Sequence, residues 1–240
     1  MDKYFCEDSM SPTTVNKIRD YLYSKLKEPI LDNRPIIFLC IGTDRCTGDS
    51  LGPLVGYKLK SEHKNNIYIY GCLETPVHSK NITTILEKIE KYFINPYIIA
   101  IDSSLGNVQN VGKIFIDEKP LNPGLALNKD LPSVGDLSIT GVVNISGSLE
   151  FIVLQNTRLF TVMSLADCIT NGIQKCLNKI SIDFSSPNKF SISKLNKKGA
   201  VSKKIWYLPI KKRKFEFELP FLRIVIIWKT SQKMWFLCNK

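Results

Sequence analysis

Histidine is nearly missing from this 240-residue chain: His63 and His78 are the only two. A His-rich metal centre is thereby excluded, although a carboxylate site for a hard cation is not. The seven cysteines are scattered, odd in number and without a CxxC pair, so neither a zinc cluster nor a disulfide framework is indicated. Cys40 and Cys72 fall in apolar, strand-like runs and read as buried free thiols. Cys46 lies in a polar loop and could act as a nucleophile, but no histidine follows in a motif that would activate it. No apolar run approaches the ~20 residues that span a bilayer. The Met1–Asp8 stretch has no apolar signal core, and a cytoplasmic location is expected. Phosphate loops are also missing: Gly42 to Gly48 is not followed by Lys-Ser/Thr, and no GxGxxG follows a strand.

Charge is present but unevenly placed. The chain holds 33 Lys and Arg against 22 Asp and Glu; from Ser185 onward the ratio is 14 to 2, and before it 19 to 20. The first 184 residues are thus nearly balanced, which gives no reason to expect nucleic-acid binding by them. The basic extension 185–240 is of the kind that can meet nucleic acid or an anionic membrane. A domain over 1–184 with a poorly ordered extension over 185–240 is the expected division, and an out-of-frame origin for the extension remains an alternative.

Apolar periodicity supplies the elements. Val15, Ile18, Leu22 and Leu26 predict a helix over Thr13–Lys27, starting near Ser11. Strands are predicted at 35–41, 67–72, 97–102, 111–116 and 137–145, with helices at 50–60, from Asn81 as cap, and over Thr157–Leu177. The strand at 111–116 is expected to form a hairpin with the one before it, and 118–137 to be a long loop. Strand–helix alternation with short links implies parallel pairing and right-handed crossovers. The fold class is therefore α/β, a three-layer α/β/α arrangement with a mostly parallel sheet, phosphorylase/hydrolase-like.

The chemistry gathers at strand ends. Ile36–Ile41 is an apolar run that stops at Gly42; a polar loop with Asp49 follows, then a helix. The strand ending at Ile101 also delivers a carboxylate, Asp102. In open α/β sheets the carboxyl ends of strands are where ligands bind. If the two strands are neighbours, the aspartates are ~5–10 Å apart, given the ~4.8 Å strand spacing. Two carboxyls that close share a proton, which provides a base for water and an acid for a leaving nitrogen. The alternative is structural: Asp49 serving the next helix dipole, and Asp102 capping a turn with Ser103 and Ser104. Glu74 and His78 follow the second strand at the same edge and are candidates to line the site.

Three segments carry a resemblance: Gly42-Thr43-Asp44-Arg45-Cys46-Thr47-Gly48-Asp49-Ser50-Leu51-Gly52-Pro53, Leu73 to Asn81, and Ile101-Asp102-Ser103-Ser104-Leu105-Gly106. Pro123–Leu127, Leu131–Gly141 and Leu154–Leu159 extend it over roughly residues 10–180. The chain resembles the YyaC-type sporulation proteins, a family similar to the germination protease of spores and to hydrogenase-maturation proteases. The resemblance implies a peptidase-like enzyme of the forespore or mother cell of a spore-forming bacterium, with Asp49 and Asp102 catalytic. It implies a protein or peptide substrate, with small acid-soluble spore proteins as the first candidates. Thr43, Asp44, Glu74, His78, Ser103, Thr140 and Asn144 are the expected substrate-binding residues. Maturation proteases use a later histidine in holding nickel; this chain has none after His78, so no metal or other cofactor is expected. A catalytically inactive peptide- or protein-binding factor is the alternative, and the oligomeric state is left open.

Overall fold

A computed structural model describes residues 4–61, 66–123, 132–185, 214–219 and 222–227. The chain divides into two units, residues 1–190 and 191–240. The first unit is built on a six-stranded sheet of order β1-β5-β6-β4-β2-β3. Its strands are β1 (Tyr4–Asp8), β2 (Ile36–Cys40), β3 (Ile67–Tyr70), β4 (Tyr97–Gly106), β5 (Lys113–Asp117) and β6 (Leu137–Ile145). β3, β2, β4 and β6 are parallel, so their carboxyl ends share one edge; β5 runs antiparallel to β6, and β1 antiparallel to β5.

Helices cover both faces, giving the three-layer α/β/α fold. α1 (Thr14–Leu31), α2 (Leu51–Leu59) and α5 (Leu159–Ser185) pack on one face. Ile18, Leu22 and Leu26 of α1 meet Val162, Ile169 and Ile173 of α5 over Phe38, Ile99 and Ile139 of the sheet. The other face is covered by α3 (Ile82–Tyr92), whose Ile82 and Ile89 pack on Ile37, Leu39 and Ala100. β2 is central to both layers and all five of its residues are buried, as expected of a parallel strand sandwiched between helices. Each fully buried Ile or Leu contributes roughly 1.5–3 kcal/mol relative to exposure, so this strand is the main hydrophobic anchor of the sheet.

Several sequence-based expectations need correction. β1 is an addition to the predicted strands: its sequence, Tyr-Phe-Cys-Glu-Asp, is short and has no period-2 apolar pattern, and among its described side chains Phe5 is the buried apolar anchor. β5 does not form a hairpin with β4, because β6 is inserted between them. α1 continues past Lys27 to Leu31 with Pro29 inside it; Pro29 has no N–H for the Lys25 carbonyl, and the helix ends two residues later. The long helix expected from Thr157 begins at Leu159, preceded by a short α4 (Glu150–Gln155). Asn81 holds the cap position of α3, and its backbone carbonyl accepts the Ile85 N–H at 3.0 Å; its carboxamide makes no cap bond and ties the preceding loop instead. Cys40 is buried as expected, but Cys72 is half-exposed because it lies beyond the end of β3.

In the second unit, β7 (Lys214–Leu219) and β8 (Leu222–Ile227) form an antiparallel pair, from Lys214 opposite Ile227 to Leu219 opposite Leu222. The remainder of 185–240 after Ser185, the centre of the 118–137 loop, His63 and Cys238 lie outside the described residues. Among the described residues no helix is long and apolar enough to cross a membrane.

The join between β2 and α2 is unusually close. A Cβ added at Gly52 would lie 2.0 Å from the carbonyl oxygen of Ile41, nearer than any atom can sit. Only glycine lets the start of α2 rest on the end of β2. Gly52→Ala is therefore expected to lower unfolding free energy by ~3 kcal/mol or more. Gly147→Ala, where nothing lies within 4 Å, is expected to stay within about 0.5 kcal/mol of the parent. Denaturant unfolding measures both, and equal stability of the two variants would contradict this packing.

Candidate functional site

The site starts with strand pairing. β2 and β4 are adjacent and parallel, with Cys40 opposite Ile101, and the Ile41 N–H donates to the Ile101 carbonyl at 2.7 Å. Asp102 is the next residue of β4. At Gly42 the chain leaves β2 with φ +134°, and a Cβ there would sit 2.1 Å from the Asp49 carbonyl oxygen. That left-handed turn folds the loop back on itself. The Thr43 N–H donates to the Asp49 carbonyl at 2.9 Å, and the Asp49 N–H donates to the Cys46 carbonyl at 3.0 Å. A 3-10 turn over Thr47–Ser50, closed by the Ser50 hydroxyl on the Thr47 carbonyl at 2.6 Å, carries Asp49 toward the end of β4.

A second wall comes from the segment after β3. Val77 bridges to Ile41, and its carbonyl accepts the Gly42 N–H at 2.8 Å. Asn81 latches this segment by accepting the His78 N–H at 2.8 Å and donating to the Pro76 carbonyl at 3.0 Å. α4 and the turn after it supply a third wall, seated on the loop that carries Asp49: a Cβ at Gly48 would collide with Leu154 of α4 and with Thr157 just beyond it.

The walls enclose a cavity of about 550 Å³, within the range of small-ligand and peptide side-chain sites. Both Asp49 and Asp102 line it, with Thr43, Asp44, Glu74 and His78. Ser103, Thr140 and Asn144, expected among the substrate-binding residues, are not in its lining. Ser103 follows Asp102 on the strand, so its side chain alternates to the opposite face, although its N–H donates to the Asp102 carboxylate at 2.7 Å. Thr140 stands in register with Asp102 one strand further from β2. The Asn144 amide is spent on Thr157 Oγ1 at 3.2 Å and the Val153 carbonyl at 3.4 Å. The cavity also takes in Arg45, Lys80, Phe151 and Leu154, which sequence reasoning missed. Arg45 sits inside the quoted loop motif and Lys80 inside the second one, so their position was readable; α4 was too short to show a period.

Two carboxyls of the wall are pushed in opposite directions. Asp102 is 9% exposed, and its pKa lies well above the usual carboxylate value. Burial is the main cause and the charge of Asp49 adds to it, while the Ser103 N–H pulls back. Glu74 is held down to about 2 by its 2.9 Å bond to Lys60, then by the Cys72 thiol. Glu74 therefore stays ionised and occupied, whereas Asp102 keeps its proton to a higher pH than an ordinary aspartate. Burial also raises the pKa of the Cys46 thiol, with the Asp49 charge adding to the rise and the Asp49 and Gly48 backbone opposing it, so Cys46 is a poor nucleophile. Among the described residues no group of three or more His, Cys, Asp and Glu is placed to hold a metal ion.

A carboxyl whose pKa rises on folding binds its proton more tightly in the folded state. Stability is therefore lost as pH climbs from the unfolded carboxylate value toward the raised one. Asp102→Asn keeps an oxygen for the Ser103 N–H and removes this ionisation. The variant should melt with the parent near pH 4 and above it at pH 7–8, by roughly 2–4 °C for each kcal/mol relieved in a domain of this size. Melting curves against pH would show it, and a variant less stable than the parent at pH 8 would contradict the assignment.

Comparison with known proteins adds a family. The chain is 48% identical over 157 residues to the uncharacterized protein YyaC of Bacillus subtilis (strain 168), covering 65% of this chain and 76% of that protein. Among solved structures it matches a [NiFe] hydrogenase maturation protease, HycI, from Thermococcus kodakarensis KOD1. That match has 15% identity and a TM-score of 0.36, over 58% of this chain and 92% of the other. The family described as protein of unknown function (DUF1256) matches residues 7–172, and the chain belongs to it.

Proposed function

We propose that this chain is a peptidase-like hydrolase that works through Asp49 and Asp102. The observation that carries the reading is a buried Asp102, its pKa raised by burial and by the charge of Asp49, sharing with Asp49 the lining of a cavity of about 550 Å³. Neighbouring carboxyls in different environments divide into acid and base. Asp49 takes a proton from water as its oxygen attacks the peptide carbonyl, and Asp102 gives its proton to the carbonyl oxygen. The tetrahedral diol collapses when Asp49 passes its proton to the leaving nitrogen and Asp102 recovers one from a diol hydroxyl. Both aspartates end as they began, and no further reactant is needed. Gly42 and the Thr47–Ser50 turn act as positioning elements for Asp49. From the motif resemblance we further propose that the substrates are proteins of the bacterial spore, small acid-soluble spore proteins first among them, met in the forespore or mother-cell cytoplasm.

The test is cleavage of peptides from small acid-soluble spore proteins, followed by mass spectrometry. Asp49→Asn and Asp102→Asn should each lose at least about 100-fold in rate, the usual scale of general acid–base catalysis. The parent's activity should fall at alkaline pH, as Asp102 gives up its proton. Unchanged cleavage by both variants would reject the mechanism. Saturable peptide binding with no product from the parent would put the chain in a binding role instead.

A further inference from the structure

The segment from the end of β6 through α4 to the start of α5 is apolar on its outside. Ile145, Leu149, Phe151, Ile152, Leu159 and Phe160 are 47–64% exposed. Between residues 145 and 160 the only charged side chains are Glu150 and Arg158, and the Arg158 guanidinium lies over the Phe160 ring, 5.2 Å from its centroid. Six large apolar side chains within one short segment form the kind of exposed patch that marks an interaction surface rather than ordinary scatter.

The patch is continuous with the cavity. Phe151 is 54% exposed and also lines it. Leu154, one turn on, is buried beneath α4 against Gly48, the residue before Asp49. α4 therefore presents Phe151 and Leu154 to the cavity and Ile152, next to Phe151 in the chain, to solvent, so that a chain seated over the aspartates and leaving past Phe151 meets the exposed apolar residues of α4. We propose that α4 and its flanking turns are a docking surface for an apolar segment of the substrate protein, adjoining the residues held in the cavity. This rests on the reading of the cavity as a peptide site, but not on cleavage occurring there. The occupant is an extended or helical stretch rich in Leu, Ile, Val or Phe. The same arrangement explains why apolar side chains are left exposed at the rim of a site otherwise lined by Asp44, Arg45, Glu74 and Lys80.

The test uses the full-length Asp49→Asn/Asp102→Asn protein, so that bound peptides are not consumed, and a phage-displayed random dodecapeptide library. Enriched peptides should carry an apolar block. A fluorescein-labelled enriched peptide should bind at least about tenfold more weakly when Leu149→Gln and Ile152→Gln are added, with Phe160→Gln as a second, separate variant. Circular dichroism melting confirms that each variant is folded, as expected for changes at exposed positions. Enrichment without an apolar block, no enrichment, or equal affinity for the patch variants would overturn the proposal. So would a dimer that the patch variants convert to monomer, since the occupant would then be a second copy. If the parent cleaves no peptide yet patch-dependent binding holds, the hydrolytic mechanism fails and the docking surface stands. If it cleaves while binding ignores the patch, the reverse is true.

Discussion

The parallel pairing of β2 with β4 is the constraint on which the rest of the site depends. It places Ile41 beside Ile101 and so brings Asp102 to the sheet edge where the chain leaves β2. Asp49 must then come back over that edge, and the backbone does this with very little clearance. Gly42 takes a left-handed conformation that other residues rarely adopt, and Gly52 lets α2 touch the Ile41 carbonyl. The hydrophobic layers on both faces of β2 hold this geometry rigid. Site electrostatics follow from packing: the Asp102 pKa is raised because the carboxyl is buried and, in addition, because the charge of Asp49 has been delivered near it.

The site divides labour among its carboxyls by environment. Glu74, in solvent and bonded to Lys60, is locked as an anion and contributes charge and shape. Such an exposed pair adds little to stability; its effect is to keep that carboxylate out of acid chemistry. Asp102, out of solvent and with a single backbone donor, retains the capacity to give up a proton. The Asn81 latch and the Leu154–Gly48 contact fix the remaining walls, so the cavity is preformed by backbone hydrogen bonds and core side chains.

Much of this was legible in the residues. The apolar run Ile36–Ile41 broken at Gly42 identifies one strand end; the run Tyr97–Ile101 does not, because β4 continues past Asp102 to Gly106, and Asp102 is exposed to the site only because its neighbour β2 has already ended at Cys40. Glu74 and His78 were placed at the same edge because they directly follow a strand. What was not legible has physical reasons. Pairing partners are nonlocal, so the insertion of β6 between β4 and β5 leaves no local trace. β1 is a five-residue edge strand whose only fully buried described side chain is Phe5, and α4 spans less than two turns. Thr140 and Asn144 are expected among the substrate-binding residues; the strand order puts the first beyond Asp102, and Thr157 and Val153 engage the second.

The central claim is that Asp102 holds its proton because of burial and of Asp49 together. Carboxyl-carbon NMR titration of Asp102 in the parent and in Asp49→Asn tests it most directly. The account predicts a titration well above the ordinary ~3.9 of an aspartate, moving down when Asp49 loses its charge. An Asp102 that titrates at the ordinary value, or that does not respond to Asp49→Asn, would contradict it.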